Sequence, residues 1–167
     1  MTDRTIDIRD FWSALGGRAI SATLVTTAGA EGPQGFVALS ATHFSAAPPL
    51  VTVAVGATTS ALAGIRQSGA FAVNFLSSEG RAVYDRFAAK DAPKGAARFD
   101  GIDWRTLATG APIFAQTTGA LDCRLEDAVE KAGTTLLFGR IVDFVRDDGA
   151  RPLVHFGGRL VGEAPPA

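Results

Sequence analysis

The sequence has very few of the residues on which most hydrolases and metal sites depend. Its 167 residues include one cysteine and two histidines. A single cysteine cannot form an intramolecular disulfide, and so few thiols and imidazoles cannot build a cysteine-rich or histidine-rich metal centre. The chain also lacks a G-x-S-x-G elbow, a P-loop and a G-x-G-x-x-G after a strand. We therefore expect no metal site and no Rossmann-type dinucleotide site.

An excess of one charge and a long apolar run are absent as well. The chain carries 16 basic and 17 acidic residues, for a net charge of −1, so nucleic-acid binding is not indicated. No apolar run approaches the roughly 20 residues that span a bilayer, and the N-terminal MTDRTIDIRDFW does not read as a secretory signal. We expect a cytoplasmic protein with no membrane partner, folded as one domain over residues 1–167.

What is present is a series of short apolar segments separated by turn residues. Ile8, Phe11, Trp12 and Leu15 have the spacing of one helical face before Gly16, which predicts a short opening helix. The segments AISATLVTT and GFVAL flank the turn AGAEGP and predict a hairpin around it.

Further strands and helices follow the same logic. LVTVAV and AFAVNFL predict two strands joined by a helix that carries Leu62 and Ile65, and another helix should run from Ser77 or Ser78 through Phe87. AAKDAPKGAAR should be irregular, and residues 119–126 and 134–145 should be strands, with PLVHFGGRL closing the chain. The pattern predicts a mainly β fold, a closed or partly closed β-barrel with a few short helices.

The segment GFVALSATHFSAAPPL, residues 35–50, is the most informative one. Small residues would let a flat ligand approach the backbone, and short hydroxyls such as Ser40 could bond to it. A tightly packed barrel strand would need the same small residues. From this segment alone, a ring-binding wall and a packed strand are equally supported.

Isolated polar residues each allow a structural and a functional interpretation. His43 and His155 fit partly buried hydrogen-bonding residues better than general acids, and Cys123 fits a small buried apolar residue. Arg86, with nearby lysines, could face a phosphate but is more typical of a solvated surface. The hydroxyls of residues 58–60 could cap a helix or bind an anion at its start.

Taken together, the segments resemble the flavin reductase-like family, whose fold is the FMN-binding split barrel of Greek-key type. The resemblance covers nearly the whole chain. It is carried by FWSALGGRAISATLVTT, GFVALSATHFSAAPPLVTVAV, SGAFAVNFL, RFAAKDAPKGAARFDGIDW, GAPI, GALDCRLE, LLFGRI and PLVHFGGRL. It implies an NAD(P)H:flavin oxidoreductase that passes hydride from NADH or NADPH to FMN, or to FAD, and a homodimer. The apolar AFAVNFL and LLFGRIVDFV strands could supply the dimer contact, or both could simply be core strands.

The resemblance also implies which residues meet the nucleotides. The flavin-binding set would be Gln34, Gly35, Phe36, Val37, Ala38, Leu39, Ser40, Ala54, Val55, Gly56, Thr58, Thr59, Ser60, Ala61, Arg86 and Phe87. The nicotinamide nucleotide would be held by His155, Gly157, Gly158, Arg159 and Leu160. No catalytic side chain is implied, because hydride transfer depends mainly on how the two rings are positioned.

The sequence departs from the family pattern at three places. Val37 and Leu39 stand where small polar residues are usual, so we expect backbone from Phe36 to Ser40 to carry the ring contacts. Ala132 to Thr134 replace a G-D-H turn, and His155 or Leu160 replaces a C-terminal aromatic residue.

Reduced flavin would go to a partner oxygenase or to an acceptor such as ferric iron. A non-catalytic flavin carrier or sensor is the alternative, and a pyridoxal-type oxidase on a related barrel is a third reading.

Overall fold

The structure is a computed structural model that describes residues 4–162. The expected domain includes residues 1–3 and 163–167, which lie outside the described residues. In chain order the elements are α1 (Ile8–Leu15), β1 (Ile20–Ser21), β2 (Thr23–Gly29), β3 (Gly32–Val37), β4 (Thr42–Ala46), β5 (Pro49–Gly56), α2 (Ala61–Ser68), β6 (Ala70–Leu76), a 3-10 turn (Ser78–Gly80), α3 (Arg81–Ala88), a second 3-10 turn (Gly95–Phe99), β7 (Trp104–Thr106), β8 (Pro112–Phe114), β9 (Thr117–Lys131), β10 (Thr134–Arg146), β11 (Val154–Phe156) and β12 (Arg159–Val161).

The opening helix forms as its apolar spacing predicts. The Asp7 side chain accepts a hydrogen bond of 2.8 Å from the Asp10 N–H and caps the first turn, and the helix ends at Gly16. None of its residues is buried, and Phe11 and Trp12 pack edge to face with ring centroids 5.1 Å apart. The helix therefore lies on the outside of the fold and keeps aromatic surface exposed.

Seven strands form one curled sheet in the order β3-β2-β6-β9-β10-β5-β4. Val25 of β2 and Val53 of β5 belong to the same buried cluster although three strands separate them, so the sheet must curve around a common core. Its two edge strands, β3 and β4, do not pair with each other, which leaves the barrel split. The predicted mainly β barrel with a few short helices is confirmed.

Two helices close the core as predicted. Leu62 and Ile65 of α2 are buried inside the barrel, and Gly69 ends the helix in the left-handed conformation that glycine adopts without strain. On the other side of β2, Val83 and Phe87 of α3 pack in a second cluster.

Some segments differ from the sequence expectations. The stretch expected to be irregular contains most of the Gly95–Phe99 turn, and β4 forms within the small-residue segment. Ser77 and Ser60 make no side-chain capping hydrogen bond. AFAVNFL is β6, a central and almost fully buried strand, so it has no surface to offer a second chain.

Candidate functional site

The predicted ring-binding segment forms an edge of the sheet. The Ala38 N–H donates to the Thr23 carbonyl (2.9 Å), and Val37 lies opposite Leu24 in the ladder between β2 and β3. Because hydrogen-bonded and non-bonded pairs alternate between antiparallel strands, the backbone groups of Gly35 and Val37 point away from β2. We call the stretch from Gly35 to Leu39 the β3 edge.

Two arginines lie against the β3 edge, one at each end. Arg98 donates to the Gly35 carbonyl (3.5 Å) and its guanidinium lies 5.6 Å from the centre of the Phe87 ring. Arg18 donates to the Leu39 carbonyl (3.3 Å). Four residues of extended chain span about 13 Å, so the backbone groups of Val37 lie on a strip bounded by two positive charges.

The side chains of this wall are largely committed to packing. Phe36 and Ala38 pack in the barrel core together with Val55, and Val37 packs against the second cluster, which contains Phe87. Outward backbone groups are therefore what the β3 edge offers a ligand. That backbone groups carry the ring contacts stays a prediction.

Ser40 joins the β3 edge to the end of β5. Its hydroxyl donates to the Ala54 carbonyl (3.1 Å) and accepts from the Ala54 N–H (3.0 Å). β4 pairs with β5 only from Pro49 to Thr52, so the Ser40 side chain takes the place of a ladder partner at Ala54. The hydroxyl thus holds two predicted flavin-binding segments together.

Gly35 and Gln34 fit against the helices. A Cβ on Gly35 would lie 3.0 Å from the Phe87 ring, and the Gln34 Oε1 lies 2.5 Å from where a Cβ on Gly64 would be. That oxygen is buried and has no hydrogen-bond partner among the residues that the structure describes. The start of the wall is thus closely packed between α2 and α3.

The predicted phosphate residues fall into two groups. Thr58, Thr59 and Ser60 precede α2 at the open end of β5, and their hydroxyls make no hydrogen bond within residues 4–162. Arg86 instead directs its hydrogen bonds to the backbone carbonyls of Arg98 (3.4 Å) and Asp100. Arg86 therefore holds the turn that places Arg98 on the β3 edge.

The predicted nicotinamide residues form a hairpin beside α1. His155 is on β11, Gly157 and Gly158 make the turn with φ of 59° and 77°, and Arg159 and Leu160 are on β12. Leu39, His155 and Gly158 border one cavity of about 320 Å³. We call it the hairpin pocket, because it brings one end of the β3 edge to the C-terminal hairpin.

Other chemistry is not assembled near this site. Burial, with a smaller contribution from Asp122, raises the pKa of the Cys123 thiol to about 12. The thiol is fully buried and stays protonated, as expected for a packing residue. Within residues 4–162 no cluster of potential metal ligands occurs, and no helix is long and apolar enough to cross a membrane.

Two arginines and one tryptophan of this region did not stand out in the sequence. Arg98 lies within RFAAKDAPKGAARFDGIDW, but which cation of that segment reaches β3 depends on how the turn folds. Trp12 and Arg18 lie in and just after the opening helix, where the helical spacing of Trp12 indicates packing rather than a cavity wall. Only tertiary contacts reveal their place.

The residues present fit a flat, anionic nucleotide such as a flavin. The β3 edge offers N–H and C=O groups of the kind that meet a ring edge, flanked by cations. Unengaged hydroxyls before α2 suit a phosphate. The fit rests on backbone, guanidinium and hydroxyl groups rather than on acidic or basic catalysts.

Known proteins resemble this chain over most of its length. The model of a family described as flavin reductase like domain matches residues 18–164. The chain is 31% identical over 160 residues to FMN reductase (NADH) RutF of Pseudomonas syringae pv. syringae, which covers 94% of this chain and 89% of that protein. It is also 31% identical to the flavin-dependent monooxygenase reductase subunit HsaB of Mycobacterium tuberculosis, over 96% of this chain and 84% of that one.

Solved structures show the same fold. The NADH:FAD oxidoreductase SgcE6 of Streptomyces globisporus superposes with a TM-score of 0.85 at 28% identity, covering 99% of this chain and 100% of its own. BorF, the flavin reductase component of a bacterial two-component tryptophan halogenase, gives a TM-score of 0.86 at 27% identity, over 96% of this chain and 100% of that one.

Proposed function

The chain belongs to the flavin reductase-like domain family, and from that premise we propose that it is an NAD(P)H:flavin oxidoreductase. It would transfer hydride from NADH or NADPH to FMN or FAD. The observation that carries the assignment to this site is the β3 edge, a strip of outward backbone bounded by Arg18 and Arg98. This strip adjoins the pocket that contains His155 and Gly158.

A flavin bound at the β3 edge supplies the hydride acceptor, and the protein's contribution is to place it. Backbone groups at Val37 fix the ring edge, and Ser40 keeps β5 beside it. Arg18 and Arg98 provide positive charge near the ring, where negative charge grows during reduction. Positioning of this kind can supply much of the rate enhancement without a general acid or base.

The phosphate of the flavin nucleotide is proposed to lie at the start of α2. Thr58, Thr59 and Ser60 present unengaged hydroxyls there, and hydroxyls at the start of a helix suit an anion. The Leu62 N–H is already engaged, because it donates to the Thr59 carbonyl (3.0 Å). Arg86 contributes indirectly, because its hydrogen bonds go to the turn that carries Arg98.

Turnover of NADH and NADPH with FMN and with FAD tests this function. With at least one of the four pairs, purified protein should rapidly oxidise the nicotinamide nucleotide as the flavin is reduced. Arg98→Gln should raise the KM for flavin several-fold, whereas the exposed Arg105→Gln should not. If none of the pairs is turned over but flavin still binds tightly, the protein is a flavin carrier or sensor instead. If neither turnover nor binding occurs, both assignments fail.

The roles of two relatives suggest where the reduced flavin goes. HsaB and BorF are named as reductase components that serve a monooxygenase and a halogenase. We propose the same arrangement here, with an oxygenase component as recipient or an acceptor such as ferric iron. Coupled assays with each acceptor would separate these outcomes.

A homodimer is the proposed assembly, through the outer face of β10. Leu137 faces the core, so Leu136 and Phe138 face outward, and Phe138 packs edge to face with the exposed Phe44. Ala54 lies opposite Leu136 in the ladder, so this face borders the proposed flavin site. Phe44→Glu should shift the protein toward monomer in sedimentation, whereas Ile6→Glu, at an exposed apolar residue outside the sheet, should not. A monomeric unmodified protein would contradict the assembly.

A further inference from the structure

The hairpin pocket has a composition suited to a flat anionic ligand. Trp12, Leu15, Ile20 and Leu39 form apolar walls, and its two titratable side chains, Arg18 and His155, are both basic. No acidic residue lines it. With about 320 Å³ it is at the lower end of ligand pockets, so it has room for one ring system while the rest of a larger ligand stays outside.

The frame of the pocket is fixed by hydrogen bonds. The Gly157 N–H donates to the Gly16 carbonyl at the end of α1 (3.0 Å), which ties the hairpin turn to the helix. A Cβ built on Gly157 or Gly158 would meet no atom within 4 Å. The turn therefore leaves the mouth of the pocket open.

Arg18 keeps most of its hydrogen-bonding capacity. A guanidinium has five N–H donors, and the Arg18 guanidinium forms a single hydrogen bond within the described chain, to the Leu39 carbonyl. It makes no ion pair there. Its remaining donors and its charge are available at the mouth, where the polar part of a ligand would lie.

Trp12 offers the ring surface of the pocket. Its side chain is 53% exposed, and Phe11 contacts it edge to face at an interplanar angle of 77°. An exposed indole beside an apolar cavity is suited to stacking against a flat ring. No packing role in the core accounts for its position, because no residue of α1 is buried.

We propose that Trp12 and Arg18 bind the hydride donor, Trp12 by contact with a ring of the dinucleotide and Arg18 by contact with its diphosphate. This inference rests on the proposed reductase function. It assigns to α1 and to the residue three positions after it a part in donor binding, next to the hairpin. Arg18 would then connect the hairpin pocket to the β3 edge.

The test uses the tryptophan itself as reporter. The chain has two tryptophans, and Trp104 lines a different cavity, so Trp104→Phe leaves Trp12 as the single emitter. NAD⁺, which cannot be oxidised further, is titrated into this variant without and with flavin. Saturable quenching is expected, and Arg18→Gln should raise the dissociation constant about tenfold, as expected for the loss of a charge-assisted contact.

Matched variants separate recognition from structure. Arg9→Gln removes an exposed positive charge from α1 and should leave the dissociation constant unchanged. Arg18→Lys should restore most of the affinity, and added salt should weaken NAD⁺ binding in the unmodified pocket more than in Arg18→Gln. The melting temperature should be the same for Arg9→Gln, Arg18→Lys and Arg18→Gln.

The inference and the reductase function can fail separately. Flavin-dependent NADH oxidation with no quenching of Trp12 and no effect of Arg18→Gln would overturn the inference and leave the function standing. Quenching that depends on Arg18 without any turnover would support the pocket and contradict the function. If Arg9→Gln weakened NAD⁺ binding as much as Arg18→Gln does, the assignment of Arg18 would also be overturned.

Discussion

Replacing Ser40 by alanine removes the two hydrogen bonds that connect the β3 edge to β5. The bonds are 3.0 and 3.1 Å long, and both partners are backbone groups of Ala54. A typical protein hydrogen bond contributes about 1 kcal/mol net. Ser40 and Ala54 are half-buried, so water can partly replace the hydroxyl, and we expect a loss of about 1–2 kcal/mol in the free energy of unfolding. For a chain of this size, that corresponds to a melting temperature lower by roughly 2–8 °C.

Urea unfolding followed by circular dichroism measures this loss, and Ser45→Ala is the matched control. The Ser45 side chain lies in the same small-residue segment, on β4, and makes no hydrogen bond within the described residues, so its removal should change stability by less than about 0.5 kcal/mol. Ser40→Thr keeps the hydroxyl and should recover part of the stability. Equal stability of Ser40→Ala and Ser45→Ala would refute the linking role of Ser40.

Three further variants test the packing around the site and the core. Gly35→Ala should lower stability by about 1–3 kcal/mol in denaturant titration, because the new methyl group would press on Phe87; an unchanged midpoint would contradict the close approach. Cys123 should not react with a thiol reagent at neutral pH until the protein unfolds. Since its pKa is about 12 when folded and 9.0 in the reference state, the free energy of unfolding should fall as pH rises from about 9 towards 12, and Cys123→Ala should lack this component. Gly139→Ala places a Cβ 2.3 Å from the Phe71 Cζ, so its cost should be smaller in a Phe71→Leu background; additive costs would argue against that contact.

Local patterns predicted most elements, because each depends on residues close in sequence. The spacing of Leu62 and Ile65 predicts α2, and the apolar run of AFAVNFL is β6 from Ala70 to Leu76. β4 was not predicted, because it is an edge strand whose side chains are mostly exposed, so it has no apolar alternation. Whether an edge strand such as β4 forms depends on the neighbouring strand with which it pairs rather than on its own sequence.

The site could be predicted only in part from the sequence, because its geometry depends on contacts between residues far apart in the chain. Small residues and prolines mark the candidate wall from Gly35 to Ser40 in the sequence, but they fit a packed strand equally well. Which groups of that wall face outward depends on the register with β2, set by the bond from Ala38 to Thr23. The arrival of Arg98 at Gly35 spans 63 residues of chain, and no local pattern carries such a contact.

The central claim is that this chain holds a flavin at the β3 edge and reduces it with a nicotinamide nucleotide. Anaerobic stopped-flow mixing of the flavin-loaded protein with donor deuterated at the transferred position tests it most directly. The account predicts that the visible flavin absorbance bleaches far faster than in a mixture without protein, and that the deuterated donor is slower than the ordinary one. Bleaching at the protein-free rate with every combination of FMN, FAD, NADH and NADPH would contradict it.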